Sequence, residues 1–120
     1  MAPQERRRSP RLKDEGLSLK LRLDDFDSVT HTMNVSSSGV YCKLDKELPL
    51  MSRVRLVLMI PDPVKEGTLK DMEVDGIVVR QHPVIMDGVT KHYDVAIFFE
   101  DLSEKDRDII SGYIKRKGGE

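Results

Sequence analysis

The sequence predicts a mainly β domain: six short strands forming a small barrel or sandwich, closed by one C-terminal α-helix. Three observations carry this expectation. Apolar and polar residues alternate with period two in six short segments, turn-forming residues separate those segments, and the last stretch switches to a helical period. The 120 residues provide for one core of ordinary size rather than two, and 38% hydrophobic against 34% charged residues gives that core a well-solvated surface.

Residues 1–13 form a basic arm in which Arg6, Arg7, Arg8, Arg11 and Lys13 are opposed only by Glu5. Pro3 and Pro10 discourage a helix, and Ser9 is pushed toward extended conformations by the proline after it, so the arm reads as irregular and flexible. Strict alternation starts at Leu17 and continues through Leu19, Leu21 and Leu23, separated by Ser18, Lys20 and Arg22. The cluster Asp24-Asp25-Phe26-Asp27-Ser28 turns the chain into a second strand, with Val29, His31, Met33 and Val35 alternating with Thr30, Thr32 and Asn34. Gly39 opens a third strand that sets Val40, Cys42 and Leu44 opposite Tyr41 and Lys43. The fourth, over 53–60, aligns Val54, Leu56, Leu58 and Ile60 and stops at Pro61-Asp62-Pro63.

Residues 69–81 read as a longer fifth strand centred on Ile77-Val78-Val79, with Gly76 expected as a bulge or bend. After a turn at Met86-Asp87-Gly88, residues 91–99 alternate through Tyr93, Val95, Ile97 and Phe99. Ser103 then suits a helix N-cap with Asp106 three residues on, and Ile109, Ile110, Tyr113 and Ile114 share one helical face. Lys115, Arg116 and Lys117 complement the helix C-terminus before Gly118-Gly119. The organisation expected is an arm over 1–13, a strand-and-helix body over 14–117 and a tail over 118–120.

Composition excludes several function classes. A net charge of −1 leaves no general electrostatic footprint for nucleic acid or an anionic membrane, and 5% aromatic residues without tryptophan leave few stacking platforms for single strands. No run approaches the roughly 18 apolar residues of a membrane span, and none follows the basic N-terminus to make a signal peptide. One cysteine, Cys42, forms no internal disulfide, so a reducing cytoplasm is expected. His31, His82 and His92 lack metal-ligand spacing, Ser36-Ser37-Ser38 is not a hydrolase elbow, and Asp24, Asp25 and Asp27 lack the rest of a calcium loop. No catalytic residue, metal site or cofactor is expected.

Two segments remain. Arg7-Arg8-Ser9-Pro10-Arg11 sets two arginines four apart on a proline-restricted backbone, and a guanidinium grips phosphate, hydrogen-bonds the O6/N7 edge of guanine or stacks on a base. Asn34-Val35-Ser36-Ser37-Ser38-Gly39 combines an amide, a hydroxyl and a flexible glycine between two strands.

The order of an Arg-x-x-x-Arg arm, an Asn-x-Ser-x-x-Gly turn, six strands and a closing helix resembles the PilZ domain family. Gly76-Ile77-Val78-Val79-Arg80, the run Tyr93-Asp94-Val95-Ala96-Ile97-Phe98-Phe99 and the stretch 102–116 extend the resemblance over nearly the whole chain. It implies a six-stranded antiparallel β-barrel and a bacterial, cytoplasmic receptor for cyclic di-GMP. On the family pattern Arg7 and Arg11 grip guanines and phosphates, while Asn34, Ser36 and Gly39 present the second motif on the barrel surface. Arg6 and Arg8 flank the pair, and Arg6 is assigned support of a second, stacked nucleotide. Asn34 stands where many members carry Asp, and Ala96, where glycine is frequent, is expected to bear on packing rather than binding.

The partners implied are the dinucleotide and an unidentified protein effector, with no nucleic acid and no membrane insertion. The signal is expected to pass by ordering of the arm, in a process such as motility or biofilm regulation. The terminal helix and residues 61–70 are the expected partner surfaces. The competing reading is a PilZ-fold protein-interaction module that does not bind nucleotide.

Overall fold

The computed structural model describes residues 12–13, 17–22, 27–65 and 67–116. They form β1 (Leu12–Lys13), β2 (Ser18–Arg22), β3 (Asp27–Val35), β4 (Gly39–Leu44), β5 (Arg53–Pro61), β6 (Leu69–Met86), β7 (Val89–Glu100) and α1 (Glu104–Arg116). Around the sheet the order is β3-β2-β5-β6-β7-β4, every neighbour is antiparallel, and β4 pairs back with β3. That last pairing makes a closed six-stranded barrel rather than a sandwich, and closure gives each of the six strands a neighbour on both sides along part of its length.

The two-residue β1 is an addition to the expected elements and lies within the arm, for which the sequence predicts no regular structure. Its backbone pairs with β3 as Leu12↔Val35 and Lys13↔Asn34. A pairing this short leaves no period in the sequence.

β3 closes the barrel by serving different neighbours along its length. Asp27–His31 pairs with β2, and the segment from Thr32 to Val35 pairs with β4. Within the pairing with β4 the register steps from Thr32↔Cys42 to Asn34↔Tyr41, so Met33 is an extra residue, a β-bulge. The bulge corrects the face expected for this strand. Val29 and His31 are exposed, and Thr32 is buried at 1% exposure before Val35 returns to the core. Thr32 is tolerated there because its Oγ1 accepts the Leu17 N–H at 2.8 Å, while its own N–H donates to the Leu17 carbonyl at 2.9 Å.

A second bulge lies in β6, at Val79 rather than Gly76. Val78 pairs with Ile97 and Arg80 with Ala96, whereas Gly76 keeps regular register with Val54 and Phe99. Gly76 serves close packing instead: a Cβ there would lie 2.5 Å from Ile97 Cγ2 and 3.3 Å from Leu56 Cδ1 across the interior. β6 also runs on to Met86, past the expected end at Gln81, and turns into β7 through Asp87 (φ 54°) and Gly88 (φ 76°). Two successive positive φ values in Asp-Gly are the type I′ hairpin signature. The ribbon so formed holds Ile85, Met86 and Val89 more than half exposed.

Alternation elsewhere fills the core as expected. Leu19 and Leu21 of β2, Leu56 and Leu58 of β5, Val78 of β6 and Val95 of β7 are fully buried, and each such side chain contributes ~1.5–3 kcal/mol of hydrophobic stabilisation. Helix α1 adds Ile110, Tyr113 and Ile114 to the same cluster and lies against β5. Ser103 Oγ accepts the Asp106 N–H at 3.1 Å, the N-cap the sequence predicts. No helix of the described residues is long and apolar enough to cross a membrane.

Candidate functional site

A shallow groove of about 180 Å³ opens on the barrel's outer surface where β3, β4, β6 and β7 meet. Asn34, Ser36 and Gly39 all line it, so the structure brings the three residues of the second motif together. Asn34 is half-buried in β3, directly after the bulge at Met33, and the extra residue there resets which way the following side chains face.

Ser36 and Gly39 build the turn beside it. The Ser36 N–H donates to the Gly39 carbonyl at 2.9 Å, closing the link between β3 and β4. Ser36 is a buried residue whose Oγ accepts the Ser38 N–H at 3.2 Å and lies 3.1 Å from Ser38 Oγ. This is the local hydroxyl-to-backbone bonding that favours serine in turns. The Ser38 carbonyl accepts the Phe99 N–H at 2.9 Å and fastens the turn to β7. Gly39 sits against that strand so closely that a Cβ would overlap the Ile97 carbonyl oxygen and come within 3.2 Å of Phe98 Cα. The motif glycine therefore answers to strand packing, and its φ is not positive.

Ser38, Val40 and Ile97 also line the groove, together with Tyr41, Val79, Ala96 and Phe98, which the sequence did not mark as site residues. Ala96, expected to bear only on packing, borders the groove and pairs with Tyr41 and Arg80. The outward phase of Tyr41 and Phe98 was readable from alternation, but nothing local says that strands so far apart in the chain share one wall.

Arg6, Arg7, Arg8 and Arg11 lie outside the described residues. What the structure does place is the chain that follows them, because β1 pairs Lys13 with Asn34 and Leu12 with Val35. Arg53 and Arg55, on β5, are engaged by carboxylates: Arg53 with Glu100 at 3.3 Å, Arg55 with Asp75 at 2.8 Å and Glu73 at 3.2 Å. The Asp75 hydrogen bond and charge hold the Arg55 guanidinium even more firmly protonated than usual.

Other reactive groups are inert or dispersed. Burial, reinforced by the charge of Asp94, pushes the Cys42 thiol up to about 12, so no thiolate forms at neutral pH. His92 Nε2 lies 3.1 Å from Asp94 Oδ1 on β7. Among the described residues, no group of three or more His, Cys, Asp or Glu is placed to hold a metal ion.

The sequence pattern of the PilZ domain matches residues 5–116, spanning the arm, the barrel and the helix. The chain belongs to the PilZ domain family. Among curated proteins, none matches its sequence.

Solved structures share the fold. The chain superposes on the Bacillus subtilis inhibitor of motility MotI/DgrA with a TM-score of 0.74 at 17% identity, covering 98% of this chain and 56% of that one. For K. pneumonia MrkH in its apo state the values are 0.72, 17%, 92% and 51%. For the PilZ domain of Escherichia coli YcgR with c-di-GMP they are 0.64, 15%, 94% and 95%. This PilZ chain thus spans about half the length of MotI/DgrA and MrkH, and nearly all of the isolated YcgR domain.

Proposed function

We propose that this PilZ domain is a cyclic di-GMP receptor in which Arg7 and Arg11 close over the groove of Asn34, Ser36 and Gly39, with Arg6 and Arg8 beside them. One observation carries the reading: the register of β1 ties the chain immediately after Arg11 to the strand that holds Asn34. An arm anchored there reaches the groove without a long excursion, since an extended residue spans only about 3.3 Å. Two arginines matched to phosphate and guanine suit a ligand that carries two of each, and they act locally in a chain of net charge −1. The c-di-GMP complex of the YcgR PilZ domain lends the same support.

The role is binding rather than catalysis, in a bacterial cytoplasm. Ligand fixes the arm against the barrel and changes the surface offered to a protein effector. Beyond the helix and the 61–70 segment, where Val64 is 85% exposed, the β6–β7 ribbon with Ile85, Met86 and Val89 is a surface on which such an effector can be read.

Calorimetric titration with cyclic di-GMP, beside Arg7→Ala, Arg11→Ala, Asn34→Ala and a cyclic di-AMP control, tests the proposal. Guanine-selective binding abolished in the arginine variants supports it, and the stoichiometry reports on Arg6. An absence of heat and of thermal shift at high ligand concentration discards it in favour of a protein-interaction module.

A further inference from the structure

Phe98 is the one β7 side chain between Val95 and Phe99 that is both large and open to water. Val95, Ile97 and Phe99 face the core and are buried, whereas Phe98 is 54% exposed on the outer surface. A phenylalanine there forgoes the stabilisation that burial would bring, so core packing does not account for it.

Its surroundings point to a ligand. Across the sheet Phe98 pairs with Gly39 on one side and Ile77 on the other, and the glycine offers no side chain to cover the ring. Val79, 45% exposed at the bulge, and Tyr41 extend an apolar wall along the groove, while Asn34, Ser36 and Ser38 supply polar groups at its margin. A flat apolar wall with hydrogen-bonding groups at one edge is what a purine base requires: a face to lie on and partners for its rim.

We propose that Phe98 is the stacking platform for one guanine of the bound dinucleotide. The proposal rests on the receptor reading above and adds a residue outside both motifs. Stacking on a ring tolerates any base, so Phe98 supplies affinity while the arginines and Asn34 choose guanine.

The test exploits a chain that contains no tryptophan. Phe98→Trp introduces a single indole at the groove, and titration with cyclic di-GMP is expected to quench its emission, saturating at the concentration found by calorimetry. In parallel, Phe98→Ala is expected to weaken binding about tenfold or more and Phe98→Leu comparably, whereas Phe98→Tyr recovers most of the affinity because it keeps the ring. If the wild-type protein binds but Phe98→Ala binds within twofold of it and the indole emission is unchanged, the platform is overturned and the receptor reading stands. If the wild-type protein does not bind, the receptor reading fails and takes the platform with it. A lowered melting temperature in Phe98→Ala with unaltered affinity identifies a structural ring and likewise overturns the proposal.

Discussion

Gly39→Ala separates what the motif glycine does for the barrel from what it does for a ligand. The added Cβ would overlap the Ile97 carbonyl oxygen and lie 3.2 Å from Phe98 Cα and 3.3 Å from the Ile97 carbonyl carbon. All three are backbone atoms of β7, and β7 is held from behind by β6 through Ile77↔Phe98 and Val78↔Ile97, so it has little room to yield. Inserting a methyl group into a packed site costs ~1–3 kcal/mol, and immovable neighbours put Gly39 near the top of that range. For a domain of this size ~2–3 kcal/mol lowers the melting temperature by roughly 8–12 °C. The assay is thermal unfolding followed by circular dichroism without ligand, beside Gly88→Ala. Gly88 has a φ of +76° and nothing within 4 Å of an added Cβ, so only backbone strain of about 1 kcal/mol is expected there. A Gly39→Ala variant that melts within about 2 °C of the wild type would show that β7 yields to the added methyl group, contrary to the overlap described.

Three other outcomes follow from buried or tethered groups. Thr32→Val keeps the shape of the side chain but removes the acceptor for the Leu17 N–H, so chemical denaturation is expected to show a loss of ~1–3 kcal/mol, and an unchanged midpoint would contradict the role given to the hydroxyl. Cys42 is expected to resist thiol reagents at pH 8 until the chain is denatured. Because its pKa rises from 9.0 to about 12 on folding, the unfolded chain ionises first, and stability that is full below pH 9 is lost as pH climbs toward 12; Cys42→Ala should shrink that alkaline loss. Asp62 Oδ1 accepts the N–H groups of Val64 at 2.8 Å and Lys65 at 3.1 Å, which hold its carboxyl below the usual range. The tethering is therefore present at neutral pH and lost as pH falls through that lowered value, which amide exchange at Val64 and Lys65 reads directly and Asp62→Ala abolishes at every pH.

Much of the site was legible only in part. Asn34, Ser36 and Gly39 stood out as a motif, and they do line one groove, yet Ser36 and Gly39 prove to be occupied with building the turn that holds it. Nothing in the sequence joined Tyr41, Val79, Ala96 and Phe98 into one wall, because a groove wall is a property of neighbouring strands, and Phe98 meets Gly39 only through the β4–β7 pairing. The bulges at Met33 and Val79 were hidden for a related reason. A bulge is one residue more on one strand than on its partner, so it is defined by a pairing and not by either segment alone.

Local chain geometry determined what the sequence could declare unaided: alternation marked the inward residues of β2, β4, β5 and β7, Asp87-Gly88 announced a turn, and Ser103 announced the helix start. Each of these depends on residues within one or two turns of chain. Tertiary structure alone decided which pairing closes the barrel that the family resemblance implied, that Thr32 would replace Met33 in the core, and that Leu12–Lys13 would pair beside Asn34. Those outcomes are settled by hydrogen bonds that must be satisfied between distant segments, and a period read along one segment does not contain its partner's register.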